Sequence, residues 1–269
     1  MIRKIFLSLC IAPVLAACSD IDETERFIPI DSVTPLRCVL LEDFTGQNCV
    51  NCPAAHEEID VLVKQYPDAL IPVSIHAGDF GISCTARRPG LMQPEGNTYN
   101  DRYGIDEWPK GVVNGRGGAL NPGEWSDAVR EELKRDANVS LDLSATADVA
   151  AGTIDIGCVI RPKENMNGTM YVWVIEDGIV ARQVDKEQGL ISDYVHNHVY
   201  RACVNGVDGE SVSLQANIHK SLEFVTEIRD TEKEKWVPTN LSIVAFIRMA
   251  DGSVAQVARC KVVCDAPEE

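Results

Sequence analysis

The chain has 269 residues, 45% of them hydrophobic and 6% aromatic, enough apolar material for one or two cores at roughly 100 to 200 residues per domain. Its 41 acidic residues outweigh 25 basic ones, for a formal net charge of −16. Such a surface repels phosphate backbones and carries no basic stripe, which excludes nucleic acid as a partner.

Met1-Ile2-Arg3-Lys4 is a basic start, Ile5 to Val14 is an apolar run, and Leu15-Ala16-Ala17-Cys18 has the small residues of a cleavage site. Together these make an export signal. The run is shorter than the roughly 18 to 20 residues of a spanning helix, so removal is expected. Leu15-Ala16-Ala17-Cys18 resembles a lipobox, which implies a signal peptide over 1–17 and a lipid on Cys18; an ordinary secretory signal is the alternative. Loss of Arg3 and Lys4 leaves 23 basic residues against 41 acidic, a net charge near −18. Residues 18–35 form a tether opening on Ser19-Asp20-Ile21-Asp22-Glu23. That cluster reads either as a solvated linker or as resembling the acidic tag that exports lipoproteins to the outer face of the outer membrane.

From Arg37 to Asp43 the residues spell a buried strand, followed by the turn formers Thr45-Gly46-Gln47-Asn48. Ala54, Ala55, Ile59, Leu62 and Val63 recur at helical spacing from Pro53 to Gln65, with the proline in the first turn where it is tolerated. Leu70 to His76 is a second strand, so strand, helix and strand form a right-handed parallel unit. A Gly- and Pro-containing stretch from Ala77 to Glu107 holds a short helix near Asn97 to Tyr103. Trp108 to Gly115 then reads as a strand entering an Asn-Gly turn. Trp125, Ala128, Val129 and Leu133 line one face of a helix from Glu124 to Ala137, with Asn121 or Pro122-Gly123 at its start.

Beyond Asn138 the period becomes two. Segments starting at Val139, Thr153, Met170, Val212, Leu241 and Val254 alternate like strands and imply an antiparallel, immunoglobulin-like sandwich over 138–264, followed by a tail at 265–269.

Ten cysteines suit an exported chain, in which disulfides are permissible. Cys49-Val50-Asn51-Cys52-Pro53 lies where a strand gives way to a helix. Unpaired N–H groups at a helix start favour a thiolate, and two intervening residues let the second thiol resolve a mixed disulfide formed by the first. By itself such a pair serves equally as half a zinc site or as a structural bridge.

Asp43-Phe44 stands ahead of Cys49 at the spacing of the Asp-Phe in thioredoxins, and the order of strand, turn, CxxC and helix is also theirs. Trp108-Pro109 before a short strand resembles the thioredoxin cis-proline. The resemblance covers residues 36–137 and implies an α/β thioredoxin-like domain. Its catalytic residues would be Cys49 as nucleophile, Cys52 as resolving thiol and Asp43 as proton acceptor, with Trp108 and Pro109 docking substrate. Two departures are Val-Asn between the cysteines and a longer Cys52 to Pro109 segment. The string from Leu41 to His56, with Val195 to Arg201, resembles the family named after a 28-kilodalton outer membrane protein of oral anaerobes. That resemblance implies a lipid-anchored outer membrane protein with a thioredoxin-like front and a β-rich back.

Other candidates are weaker. His56 and His76 could join the two thiols around zinc, and His196 with His198 would share a face if extended; structural roles are expected for all four. No phosphate loop or hydrolase motif is present, and no cofactor or metal is expected. Cys84 follows the second strand and is expected to be free or an auxiliary thiol near Cys49 and Cys52. Cys38 lies roughly 16 Å upstream of Asp43 along a strand, toward the opposite edge of the sheet and too far to bond Cys84. Cys260 and Cys264 are expected to pair with Cys158 or Cys203. The expected activity is thiol-disulfide exchange with exported proteins. The alternative is a non-enzymatic surface protein that binds a ligand through its β region.

Overall fold

The computed structural model describes residues 35–85 and 90–264; the signal, Cys18 and the tether to residue 34 lie outside them. Strand is the dominant secondary structure. In the front segment β1 (Val39–Thr45) and β2 (Leu70–His76) pair in parallel, Val39 opposite Leu70 through Thr45 opposite His76, with α1 (Cys52–Gln65) between them in sequence. Both strands are buried at every position, the polar Glu42, Asp43, Thr45, Ser74 and His76 included. α2 (Pro94–Arg102) follows, then β3 (Lys110–Val113), antiparallel to β1, and β4 (Arg116–Leu120). The β3–β4 turn is the expected Asn-Gly pair, Asn114 and Gly115 having φ of 48° and 66°, the left-handed values such a hairpin requires. α3 (Pro122–Leu133) opens on a capping box in which Asn121 and Glu124 cap each other, within the Asn121 to Gly123 stretch where the sequence places its start.

The back segment runs β5 (Val139–Asp148), β6 (Thr153–Pro162), β7 (Met166–Glu176), β8 (Ile179–Asp185), β9 (Gly189–His196), β10 (Val199–Cys203), β11 (Glu210–Leu214), β12 (Lys220–Glu227), β13 (Leu241–Arg248), β14 (Val254–Lys261) and β15 (Val263–Cys264). Among the described residues β12, β6, β5 and β15 form one sheet and β8 with β9 a separate hairpin. A nine-stranded sheet runs β14-β13-β7-β10-β2-β1-β3-β4, with β11 also on β7. Its two segments join where Val199 of β10 pairs in parallel with Ser74 of β2. The expected boundary at residue 137 is therefore the α3–β5 connection, while the sheet runs across it.

Alternation along β7 sorts the core. Met170, Val172 and Val174 face the four-stranded sheet through Ile154, Ile156 and Ile160. That is the two-layer packing the period-two pattern implies. Tyr171, Trp173 and Ile175 face the other way and share a cluster with Leu40, Phe44 and Val73 of the front segment. Back on the first face, α1 and α3 cover β1–β3 through Ile59, Leu62, Trp125 and Val129. Apolar burial on this scale, at roughly 25 cal/mol per Å², continues from one segment into the other. A buried ion pair spans them as well: Arg248 Nη2 of β13 donates to Glu42 Oε1 and Oε2 of β1 at 3.0 and 3.1 Å.

Candidate functional site

Cys49 and Cys52 form a disulfide with Cα atoms 5.5 Å apart. Cys52 is the first residue of α1 and Asn51 its N-cap, without a side-chain cap hydrogen bond, so the pair sits at the helix end whose backbone N–H groups lack helical partners. Val50 and Asn51 are exposed, but Cys49 is only 2% and Cys52 0% accessible.

Beside the disulfide lies a cleft of about 360 Å³ lined by Asn51, Ala54, Glu58, Trp108, Pro109 and Lys110 among others. Trp108-Pro109 is a cis peptide. The indole packs edge-on to Phe80 and over Gly78, where φ is +63° and a Cβ would stand 2.0 Å from the ring. Only glycine fits there. The cleft thus brings together the CxxC turn and the two residues expected to dock substrate.

Asp43 sits on β1 beneath α1, fully buried. Ser74 Oγ donates to its Oδ2 at 3.1 Å, and Oδ1 has no hydrogen-bond partner. Burial pushes the carboxyl up to about 7, with the Ser74 hydrogen bond pulling the other way, a value suited to exchanging a proton at neutral pH. His56, four residues after Cys52 on α1, has Nε2 at 3.7 Å from Asp43 Oδ2 and 3.0 Å from Thr45 Oγ1, and Nδ1 at 2.9 Å from the Tyr194 hydroxyl. Burial, with His196 and His198 nearby, holds its imidazole down to about 3. His76 and His196 are buried with ring centroids 5.4 Å apart. Burial holds His196 down to about 4 and His76 well below the usual histidine range. Among the described residues no group of three or more His, Cys, Asp or Glu side chains is disposed to hold a metal ion.

The β8–β9 hairpin closes the site from the back segment. Gln183, fully buried, donates through Nε2 to the carbonyls of Cys49 at 2.9 Å, Val184 at 3.0 Å and Gly46 at 3.3 Å. Arg182 Nη2 donates to Asn48 Oδ1 at 3.1 Å, and the Val184 amide to the Gln47 carbonyl at 2.8 Å. Sequence reasoning missed Gln183 and Tyr194 because no motif links them to a turn more than 130 residues earlier. His196 was legible only as a partner for His198, and a turn separates those two. His198 has φ of 57° and its Nδ1 stands 3.2 Å from Asp177 Oδ1.

Cys38, Cys84, Cys158, Cys203, Cys260 and Cys264 are free thiols. The pairing expected of Cys260 and Cys264 with Cys158 or Cys203 is corrected. Cys158, Cys260 and Cys264 belong with the core between the two sheets, whereas Cys203 packs on the opposite face of the large sheet. Cys158 and Cys260 share a layer without a bond, burial pushing them up to about 12 and 11. Cys84 is free, as one of its two expected states; its thiol contacts the Lys233 carbonyl and lines a different cleft, with Met92 and Arg229.

The family model described as outer membrane protein Omp28 matches residues 96–265. Among curated proteins none matches the chain. Among solved structures, HBP35 of Porphyromonas gingivalis is 14% identical with a TM-score of 0.68, the match covering 87% of this chain and 78% of that one. A protein from Agrobacterium tumefaciens is 14% identical with a TM-score of 0.51, covering 88% and 99%. A domain of the outer membrane lipoprotein Omp28 from Porphyromonas gingivalis is 21% identical with a TM-score of 0.36, covering 48% and 92%. At such identities the first two speak to fold alone.

Proposed function

Since the chain belongs to the outer membrane protein Omp28 family, and so to the outer membrane, we propose that its front segment is a thioredoxin-like thiol-disulfide oxidoreductase acting on exported proteins. One observation carries this reading. The Cys49–Cys52 disulfide caps the start of α1 beside the cleft lined by Trp108 and Pro109, with the buried carboxyl of Asp43 under the same helix.

In the reducing direction, the Cys49 thiolate attacks one sulfur of a substrate disulfide and expels the other as thiolate, giving a mixed disulfide. Cys52, deprotonated with Asp43 as acceptor, then attacks Cys49 Sγ, releases the second substrate thiolate and closes the Cys49–Cys52 bond. Two electrons pass from the dithiol to the substrate; oxidation of a substrate dithiol is the same sequence reversed. Trp108 and Pro109 hold the peptide in the cleft. Cys18, outside the described residues, carries the lipid that fixes the chain to the membrane.

The second reading is a non-enzymatic surface protein that binds a ligand through its β strands, with Cys49–Cys52 as an inert staple. It is favoured by the burial of both cysteines under the β8–β9 hairpin. Trapping separates the two. A Cys52→Ser variant expressed in the envelope should accumulate mixed disulfides through Cys49, visible as reductant-sensitive adducts and absent from Cys49→Ser. Failure to form adducts favours the second reading.

A further inference from the structure

The polar cluster beneath α1 extends beyond the groups that thiol exchange needs. Asp43 and Thr45 of β1 face α1 with Ser74 of β2, and the imidazole of His56 comes down on them from the helix. Its two nitrogens look in opposite directions. Nε2 faces Asp43 and Thr45, at 3.7 and 3.0 Å. Nδ1 lies 2.9 Å from the hydroxyl of Tyr194 on β9, a half-buried ring. His56, Asp60, Ser74 and Tyr194 help line a cavity of about 40 Å³ there, room for roughly one water.

We propose that His56 and Tyr194 are the proton path between the sealed carboxyl of Asp43 and solvent. The purpose assigned to this path rests on the redox reading, in which Asp43 must gain and lose a proton in each cycle while no face of it is open to water. A neutral imidazole donates at one nitrogen and accepts at the other. A small ring rotation closes the 3.7 Å gap to hydrogen-bond length. The Asp43 proton then passes to Nε2, the Nδ1 proton to the Tyr194 oxygen, and the phenolic proton to water. One proton leaves and the ring changes tautomer. Reprotonation of Asp43 runs the same steps backwards and restores the starting tautomer, so a complete cycle leaves His56 and Tyr194 unchanged.

The titratable groups around this path are Glu57 and Asp60 of α1, His76 of β2, Asp185 and His196 of the hairpin strands, and His198 beyond them. Of these, His196 packs against both the Tyr194 and His56 rings, at 4.8 and 6.4 Å between centroids, and reaches neither Asp43 nor solvent by a hydrogen bond of its own. His56 and Tyr194 are positioning residues in this scheme, since they act through Asp43.

The test uses the full oxidised chain with 13C-labelled aspartate carboxyls, so it needs no turnover. In the wild type the Asp43 resonance should move through its titration as one averaged line. In Tyr194→Phe, and in His56→Gln, which keeps an amide for Thr45, the midpoint should remain but proton exchange should slow at least tenfold, broadening or splitting the line. Unchanged line shapes in both variants overturn the path. Reaction of the wild-type disulfide with dithiothreitol is measured alongside. Its complete absence would overturn the redox reading, and the line shapes would still decide the proton path.

Discussion

The side-chain amide of Gln183 donates a 2.9 Å hydrogen bond to the carbonyl of Cys49, so a residue from the separate β8–β9 hairpin holds the backbone of the CxxC turn. The same amide serves Gly46 and Val184. Gln183→Ala removes these donors and leaves buried carbonyls unpaired, at about 1 to 3 kcal/mol. Urea denaturation should show that loss. Reduction of Cys49–Cys52 by dithiothreitol should accelerate, by about tenfold for each 1.4 kcal/mol by which hairpin closure weakens. A destabilised variant whose disulfide reacts at the wild-type rate would mean that the hairpin does not gate the thiols.

Asp43 makes stability depend on pH with a definite sign. Below about pH 4 its carboxyl is protonated in folded and unfolded chains and costs nothing. Burial holds the folded value near 7, so as pH rises from about 4 to 7 the unfolded chain ionises while the folded chain keeps its proton. Stability falls over that window, and above it the loss is complete, on the order of 4 kcal/mol. Asp43→Asn keeps an acceptor for Ser74 and removes the charge. It should raise Tm at pH 8, with the difference shrinking toward pH 4. A variant less stable than wild type at pH 8 contradicts this account of Asp43.

Much of the front segment was legible because its signals are local. Leu70 to His76 is a mostly apolar strand, Asn114-Gly115 has one favoured turn, and Pro53 can sit only in a first helical turn; each is where the sequence puts it. Cys49 and Cys52 stand out locally as a pair ahead of a helix, whereas Asp43, Trp108 and Pro109 could be named only through the resemblance to thioredoxins. The back segment was harder. β8 and β9 mix exposed Val180, Leu190 and Val195 with charges, since the hairpin covers a loop and forms no layer of its own, and its pattern lacks a buried face. β10 is five residues long and almost wholly buried, too short for a period. Its pairing with β2, which merges the segments into one sheet, is a long-range choice with no local trace.

The Glu42–Arg248 pair tests that merger. Glu42 is fully buried and also accepts from Tyr103 Oη at 2.8 Å. Glu42→Gln leaves the Arg248 guanidinium buried without its counter-charge, which costs about 3 to 5 kcal/mol. Because β1 and β13 lie in one sheet, fluorescence of Trp108 in the front and Trp173 in the back should still report one transition, shifted to lower denaturant. Two separated transitions would show that the segments unfold independently.

Attachment to the membrane is tested by Cys18→Ala. Two or more acyl chains at about 0.8 kcal/mol per buried methylene give stable anchoring, so the variant should appear in the soluble fraction. If it still sediments with membranes after a high-salt wash, Cys18 is not the anchor.

The reduction potential of Cys49–Cys52, measured against glutathione with the other cysteines replaced, bears most directly on the proposed activity. An exchange-competent pair should lie between about −120 and −270 mV, the span of the thioredoxin-type catalysts. A potential well below about −300 mV, the range of structural disulfides, would contradict the oxidoreductase reading and leave Cys49–Cys52 as a staple.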